Sequence, residues 1–457
     1  MPPWQRERLS FSNLLSLLTC HRPPHKRVEA GRAAEASTTD RPPSPLRKPP
    51  KRGFKKYDSS WIVEEEMFEW YSGEEWYPVR VGDVFREHYQ VLGKLFFGSV
   101  STVWLCRDLT GHKYVVLKVY VRKHRQAKQE PEIYSHLARI ASNHPGQKVI
   151  RLPCDTFLAE RKDIAGQQHQ CLVFEPLGMS LKELCEFSGG KVKPEVLKPI
   201  IRSILEALDF LHTEAGVVHT GRKKRKHQLD IQGGNILFRT KDETAFEQFE
   251  KEQWARPPGR KIKGNRILFD SRDVPQDIEN LGSPVLCDFG DAVMGQESYA
   301  AHAMPDLYRP PEMILGIMWN EKIDIWGLAM TVWDAIEGKQ LFKDKTPGRF
   351  ESEGEHLAMT IALLGPPSKE YAQAAEEYFD EDGNWKLDME IPKTTLEDEE
   401  KVLQGEERER FLTFMRRVLQ WEPVDRPSAK ELLNDPWLSV EDLSRAKPSD
   451  KKAEERE

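Results

Sequence analysis

The sequence has few cysteines, and none of them are spaced as metal ligands or as a disulfide framework. Its six cysteines include no C-x-x-C pair and no spacing typical of a zinc site. This excludes zinc-finger and disulfide-rich classes and favours buried free thiols in a reducing, intracellular compartment. No apolar run approaches the length of a membrane span, so we expect a soluble protein with no membrane partner.

An excess of positive charge is also missing. The 457 residues contain 68 Lys and Arg against 74 Asp and Glu, which gives a formal net charge of −6. This balance argues against non-specific binding of DNA or RNA, so we expect no direct nucleic-acid partner. Apolar residues make up 39% of the chain and charged residues 31%, which suits one large two-lobed domain with solvated tails.

Both ends of the chain have the composition of disordered segments. Residues 1–56 are basic and Pro-rich, as in PPSPLRKPPKRG, and residues 439–457 mix charges densely. Between them, residues 57–88 form an N-terminal extension rich in acids and aromatics. We expect a location in the cytoplasm and nucleus. The Arg-rich, acid-poor N-terminus leaves a mitochondrial presequence as the alternative.

Strand patterns dominate residues 89–177 and helical patterns dominate residues 178–438. YQVLGKL, STVWLCRD and KYVVLKVYV predict a meander, followed by a helix in KHRQAKQEPEIYSHLARIAS and strands near LPCDTF and CLVFEPL. Helical periodicity recurs at VLKPIIRSILEALDFLHTEAG, EKIDIWGLAMTVWDAIEG, EHLAMTIALLG and ERERFLTFMRRVLQ, while residues 240–283 have the composition of a polar spacer. We predict an α+β fold with a small β-rich N-terminal lobe and a larger helical C-terminal lobe.

The first lobe offers groups that phosphoryl transfer needs, namely a cover for the phosphates and a cation on them. The turn after the first strand could be the cover, although it contains a single glycine, Gly98, and Phe96 stands where a small residue is expected. Lys118, in the strand segment VVLK, could be the cation. On the next helix Glu130 is its expected partner, favoured by the apolar register, and Glu132 is the alternative.

The second lobe offers candidates for the other groups that phosphoryl transfer needs, namely a proton acceptor and metal ligands. Asp230 and Asn235 stand in DIQGGN, and Asp288 begins a D-F-G segment directly after the apolar strand PVLC. Further along, Glu312 of YRPPE and Arg426 of VDRPSA are placed to form an ion pair inside the helical lobe. Each motif alone has an ordinary explanation in packing or turns, but the ordered set favours one phosphotransfer domain.

These motifs resemble those of the eukaryotic protein kinases and, within them, the SR-protein kinases, especially their divergent fungal members. The likeness covers roughly residues 64–438 and is carried by YPVRVGDVF, STVWLCRD, CLVFEPLG, DIQGGNIL, VLCDFGDA, YRPPEMILG and HLAMTIALLGPP. It implies a bilobal serine/threonine protein kinase that uses ATP and Mg²⁺. The implied partner is a protein substrate, with serine in Arg/Ser-rich splicing factors as the expected target, and we expect a monomer.

The resemblance also implies roles for single residues. Asp230 would accept the substrate proton, and Asn235 and Asp288 would bind the metal. Residues 174–177 would form the gatekeeper and the hinge around adenine. The full set expected to bind ATP is Leu95, Phe96, Phe97, Gly98, Ser99, Val100, Ser101, Thr102, Val103, Lys118, Glu130, Glu175 and Leu177.

Three departures from the family pattern leave a rival function open. Phe96 lies in the phosphate cover, Gln232 replaces a lysine that neutralises the moving phosphate, and residues 221–229 (GRKKRKHQL) separate His219 and Thr220 from Asp230. The insertion could loop into solvent, disturb the geometry of Asp230, act as a nuclear-import signal, or reflect an error in the gene sequence. A pseudokinase that acts as a binding module or scaffold is therefore the alternative.

Overall fold

A computed structural model of the chain describes residues 41–219, 232–295, 308–342 and 353–439. The strands in these ranges are β1 (Lys56–Tyr57), β2 (Val84–Phe85), β3 (Tyr89–Phe97), β4 (Ser101–Asp108), β5 (Lys113–Tyr120), β6 (Asp155–Glu160), β7 (Gln168–Phe174), β8 (Val217–Val218), β9 (Ile236–Thr240), β10 (Arg260–Lys263), β11 (Arg266–Phe269), β12 (Leu281–Leu286) and β13 (Val293–Met294).

The α-helices in the same ranges are α1 (Arg125–Arg139), α2 (Leu181–Phe187), α3 (Pro194–Phe210), α4 (Thr244–Ala255), α5 (Pro311–Ile314), α6 (Lys322–Glu337), α7 (Glu353–Leu364), α8 (Lys369–Gln373), α9 (Leu396–Glu399), α10 (Gly405–Val418) and α11 (Ala429–Leu432). A π-helical turn, Leu211–Ala215, extends α3, and short 3-10 turns lie at Glu64–Met67, Pro145–Val149, Pro423–Asp425 and Pro436–Leu438. None of the helices within the described ranges is long and apolar enough to cross a membrane.

The small lobe is built on an antiparallel sheet with the strand order β2-β3-β4-β5-β7-β6. The predicted meander is confirmed, and the short strand β2 adds one edge to it. In this sheet Lys118 on β5 lies opposite Val103 on β4 and Leu172 on β7. The register therefore places the lysine in the middle of the sheet, and its Nζ reaches Asp288 of the large lobe at 3.3 Å.

The large lobe packs around two buried helices. Helix α3 has its apolar face fully covered, and the π-helical turn that extends it ends at Gly216, whose φ of 60° lies in the left-handed region that glycine adopts without strain. Helix α6 is buried on nearly all sides, and Trp326 and Trp333 on it are among the largest fully buried side chains. The helices predicted at these positions, and those at α7 and α10, are confirmed.

The prediction of a polar spacer over residues 240–283 is wrong. These residues contain α4 and the hairpin β10–β11, and β1 joins the hairpin to form a three-stranded sheet. Phe246 and Phe249 of α4 are buried against the small lobe. The polar composition of these residues did not indicate a folded segment, because the partners of the buried carboxylate of Glu250 lie far away in sequence. They are the guanidinium groups of Arg47 and Arg107, each at 2.5 Å.

Part of the segment predicted to be disordered also contacts the small lobe. Residues 41–55 contain no helix or strand, and the Ser44 N–H donates to the Leu109 carbonyl at 2.8 Å. The Arg47 N–H donates to the Gln90 side chain at 2.9 Å. A basic, Pro-rich segment can be ordered in this way because its backbone and charged groups find partners on a folded surface. Residues 1–40 and 440–457 lie outside the described ranges.

Candidate active site

A cleft of about 670 Å³ lies between the two lobes, under the turn that joins β3 to β4. Of the residues predicted to cover the phosphates, six line it: Leu95, Phe96, Gly98, Val100, Ser101 and Val103. The other residues predicted to cover the phosphates do not line the cleft. Phe97 packs on Phe68 with 6.0 Å between ring centroids, and Thr102 accepts a hydrogen bond from Trp104 Nε1 at 2.9 Å. Ser99 is also outside the lining.

The phosphate cover keeps a closed turn despite its single glycine. The Gly98 N–H donates to the Ser101 carbonyl at 2.8 Å. A Cβ added to Gly98 would meet no atom closer than 3.8 Å, so space does not require a glycine at this position. Phe96, which the sequence identified as an obstacle, is 59% exposed at the mouth of the cleft. The Trp70 Nε1–H of the N-terminal extension donates to the Ser99 carbonyl at 3.4 Å, which holds the turn from outside.

Lys118 stands on the floor of the cleft between two carboxylates. Its Nζ lies 2.8 Å from Glu130 Oε2 and 3.3 Å from Asp288 Oδ1. Glu130 is buried on α1, where the Tyr120 hydroxyl also donates to it, whereas Glu132 is exposed. The ion pair thus forms with Glu130. Burial alone would lower the pKa of Lys118, but the charges of Asp288 and Glu130 raise it well above its ordinary value. The site therefore holds a permanent cation.

Asp288 is held in a strained backbone conformation and as an ionised carboxylate. Its φ of 62° lies in the left-handed region, which costs free energy for a non-glycine residue and often marks a functional position. Burial would raise the pKa of Asp288, but the Lys118 ammonium and a hydrogen bond from the Gly290 N–H lower it below its ordinary value. The carboxylate is 33% exposed towards the cleft.

Asn235 lies beside Asp288 because β9, which begins directly after Asn235, pairs with β12, which ends two residues before Asp288. Ile236 is opposite Leu286 in this ladder, and the Cys287 N–H donates to the Asn235 carbonyl at 2.9 Å. Both Asn235 and Asp288 line the cleft. Carboxylate and amide oxygens are the hard ligands that a small divalent cation prefers. The donor set of this chain therefore fits a metal bound together with phosphate oxygens.

A buried chain of edge-to-face ring contacts connects α1 to His219, which lies just before the insertion at residues 221–229. The Phe289 ring lies 5.5 Å from the Tyr134 ring and 4.7 Å from the His219 ring. The His219 N–H donates to Asp324 Oδ2 at 2.9 Å, and His212, which the sequence analysis missed, contacts the same oxygen at 2.9 Å. Burial lowers the pKa of His219. The imidazole is therefore neutral, and its Nε2–H donates to the Cys287 carbonyl at 3.1 Å.

The segment around the insertion is only partly within the described residues. Thr220, the insertion at residues 221–229 and the predicted proton acceptor Asp230 lie outside the described ranges. Gln232 and Gly234 are described and line the cleft. Residues on both sides of the insertion, His219 and Asn235, are thus held at the site by contacts with the same short segment around Cys287.

The predicted hinge follows β7 at the back of the cleft. Phe174 and Leu177 line the cleft, and Leu177 packs with Val285 and Cys287. The Glu175 side chain points away, is 67% exposed and pairs with Arg239 at 2.9 Å. Glu175, which the sequence predicted to bind ATP, is not among the residues that line the cleft.

A segment that the sequence analysis missed borders the opening of the cleft. Residues 272–277, between β11 and β12, belong to its lining. The Arg272 N–H donates to the Lys94 carbonyl of the small lobe at 2.9 Å, and the Gln276 side-chain amide donates to Glu183 of the large lobe at 3.2 Å. This segment, here called the bridging segment, therefore contacts both lobes. No short motif could have identified it, because both partners are distant in sequence.

The ion pair predicted inside the helical lobe is present. Arg426 Nη1 and Nη2 lie 2.6 and 2.7 Å from the two carboxylate oxygens of Glu312, and both side chains are fully buried. The guanidinium also lies 4.9 Å from the Trp326 ring and donates to the carbonyls of Gln420 and Trp421. This arrangement satisfies a buried charge with a bidentate partner.

Comparisons with known proteins place these features in a family context. A family model described as the protein kinase domain matches residues 89–245 and 260–438, which leaves out most of α4. A serine/threonine protein kinase of Aspergillus fumigatus is 37% identical over 404 residues, 87% of this chain and 96% of that protein. The serine/threonine-protein kinase SRPK of Physarum polycephalum is 29% identical over 82% of this chain and 92% of its own length.

Two more distant similarities agree with these. Protein kinase dsk1 of Schizosaccharomyces pombe is 23% identical over 82% of this chain and 85% of its own length. A crystal structure of a kinase domain matches with a TM-score of 0.58 at 22% identity, covering 80% of this chain and 100% of that chain. The latter similarity shows the fold alone.

Proposed function

The chain belongs to the protein kinase family, as a serine/threonine protein kinase, and we propose that its targets are serines in Arg/Ser-rich proteins such as splicing factors. Kinases of this family use ATP and a divalent metal, and we propose Mg²⁺ as that metal. The observation that carries the proposal is the set of charges on the floor of the cleft, where Lys118 lies between Glu130 and Asp288.

Each group at the cleft has a proposed task in phosphoryl transfer. ATP bound with its metal supplies the γ-phosphate and charge neutralisation at the transferring group. Lys118, fixed by Glu130, would hold the α- and β-phosphates. Asp288 and Asn235 would hold the metal through oxygen atoms, and the ionised state of Asp288 supports this role. Asp230 is proposed to accept the proton of the substrate hydroxyl.

The proposed substrate class is supported by the resemblance to SR-protein kinases and by the similarity to the Physarum kinase SRPK. The same comparisons include the kinase dsk1, and the motifs from YPVRVGDVF to HLAMTIALLGPP carry the resemblance along the whole domain. A serine flanked by arginines is therefore the first substrate to test.

The experiment measures transfer of ³²P from the γ-phosphate of ATP to an Arg/Ser-repeat peptide, beside a matched peptide with alanine for serine. It compares the full chain with a variant that lacks residues 221–229 and with Asp230→Ala in both backgrounds. Activity in both backgrounds that Asp230→Ala abolishes would support the proposal. It would also show that the insertion is tolerated, as the anchored flanks at His219 and Asn235 suggest.

The other outcomes have distinct meanings. Activity that appears only after the deletion would mean that the insertion inhibits the enzyme or that the gene sequence is in error. Phosphorylation of a general Ser/Thr substrate without that of the Arg/Ser peptide would refute the substrate class and leave the kinase activity standing. If neither substrate is phosphorylated although nucleotide still binds, the result would favour a pseudokinase that acts as a scaffold.

A further inference from the structure

The loop after the 3-10 turn Pro145–Val149 brings an arginine against the predicted hinge. Arg151 Nη2 donates to the Glu175 carbonyl at 2.7 Å. Its guanidinium carbon lies 4.6 Å from the centroid of the Phe174 ring. A planar guanidinium can make both contacts at once, because it stacks through its face and donates hydrogen bonds from its edge. Arg151 also lines the cleft, so its contacts lie next to the space for a ligand.

The backbone of Arg151 is fixed to the strand that leads into Asp288. The Arg151 N–H donates to the Leu286 carbonyl at 3.1 Å, and Ile150 forms a parallel bridge with Leu286. Only Cys287 separates that strand from Asp288. Arg151 therefore contacts the hinge with its side chain and the segment before the proposed metal ligand with its backbone.

We infer that Arg151 is a positioning residue of the nucleotide site, which holds the Glu175–Pro176 peptide through its carbonyl and so orients the backbone of Leu177, the hinge residue that lines the cleft, towards the adenine base. The inference deepens the proposed function and rests on its assignment of the cleft to ATP. Hydrogen bonds weaken steeply when donor and acceptor are misaligned, so a fixed peptide binds a base better than one that can rotate. A hinge that is already ordered in the free protein loses less conformational entropy when the nucleotide binds.

Arg239 provides a matched control on the same hinge residue. Its Nη1 lies 2.9 Å from the Glu175 carboxylate, and its Nη2 donates to the Lys148 carbonyl at 3.1 Å. That carboxylate is 67% exposed, and an ion pair so open to solvent contributes little. Arg239 thus contacts Glu175 through the side chain, whereas Arg151 contacts its peptide group.

The experiment compares the full chain with Arg151→Met, Arg151→Lys and Arg239→Met. It measures kcat and KM for ATP and for GTP with the Arg/Ser-repeat peptide, the dissociation constant of ADP by calorimetry, and the melting temperature. Loss of one charge-assisted hydrogen bond should raise the KM for ATP and the Kd for ADP about tenfold in Arg151→Met, with kcat within about twofold. The preference for ATP over GTP should fall as well, because the base is read at the hinge.

The other variants separate positioning from general stability. Arg151→Lys keeps a charged donor but loses the planar fork, so it should show about a threefold rise in KM, between the native chain and Arg151→Met. If Arg151→Met does not fold, Arg151→Lys carries the comparison alone. Arg239→Met should stay within about twofold of the native chain in every constant.

Three results would overturn the inference. One is unchanged ADP binding and an unchanged ATP-to-GTP ratio in a folded Arg151→Met variant. Another is a loss in kcat and melting temperature with KM for ATP unaltered, since this would indicate a purely structural role. A native chain that binds no ADP or ATP would refute the nucleotide assignment of the cleft, and the inference with it. If the native chain binds ADP but Arg151→Met shows none of the expected changes, the inference is refuted and the proposed function stands.

Discussion

Replacing Glu130 by glutamine tests the charge arrangement on the floor of the cleft most directly. The substitution keeps the size of the side chain and removes its charge. Lys118 Nζ now lies 2.8 Å from one Glu130 oxygen and 3.1 Å from the other, so both contacts lose their ionic character. The remaining carboxylate is that of Asp288 at 3.3 Å. We expect Lys118 to shift towards it and to compete with the metal for that carboxylate.

The magnitude follows from the burial of the pair. Removing one partner of a buried ion pair costs about 3–5 kcal/mol, and the second carboxylate compensates part of that loss for Lys118. If about 3 kcal/mol of transition-state stabilisation is lost, kcat/KM falls on the order of a hundredfold. The assay is ATP-dependent phosphorylation of the Arg/Ser-repeat peptide at neutral pH, with a melting curve to verify that the variant is folded.

Glu132→Gln is the matched control, because this acid lies on the same helix but is exposed. It should change kcat/KM by less than about twofold. The reasoning is refuted if a folded Glu130→Gln variant keeps nearly native activity, or if the two variants lose activity equally. Either result would mean that the orientation of Lys118 does not depend on the buried carboxylate.

Three further predictions concern stability, each measured by chemical denaturation. Glu312→Gln should cost about 3–5 kcal/mol, because Arg426 then stays buried without its carboxylate; a cost under about 1 kcal/mol would contradict this. Burial raises the pKa of Asp334 to about 7, so between about pH 4 and 7 the folded state keeps a proton that the unfolded state releases. The contribution of Asp334 to the free energy of unfolding therefore falls as the pH rises through this range, by up to about 4 kcal/mol. Asp334→Asn, which can still accept the Tyr308 hydroxyl, should lose less stability than the native chain over that range, and parallel pH profiles would count against it. Phe249→Ala should cost about 3–5 kcal/mol, whereas an unchanged denaturation curve would mean that α4 is a detached spacer.

The elements that the sequence predicted well are those whose signal is local. The β-branched and aromatic residues of STVWLCRD and KYVVLKVYV and the amphipathic pattern of α3 are visible in each segment by itself. The choice of Glu130 over Glu132 has the same origin. Two residues along a helix are about 200° apart, so only one of these acids can share the buried face of Ile133 and Tyr134.

The features that the sequence analysis missed depend on partners far along the chain. Residues 240–283 have few apolar residues, and Glu250 of α4 is stable in its buried position because Arg47, Arg107 and the Tyr114 hydroxyl reach it from other segments. The backbone of Asn235 and the side chain of His219 likewise meet at Cys287 through contacts that no spacing rule expresses.

The sequence by itself determined which chemical groups this kinase has and the order in which they occur, because motif residues and amphipathic patterns are local properties. The tertiary structure alone decided which groups surround the cleft. It brought the bridging segment to the opening and Arg151 to the hinge carbonyl, across 178 residues from Lys94 to Arg272 and 24 from Arg151 to Glu175. Hydrogen bonds and charges act over a few ångströms of space, whatever the distance along the chain, and only the folded backbone fixes which of them meet.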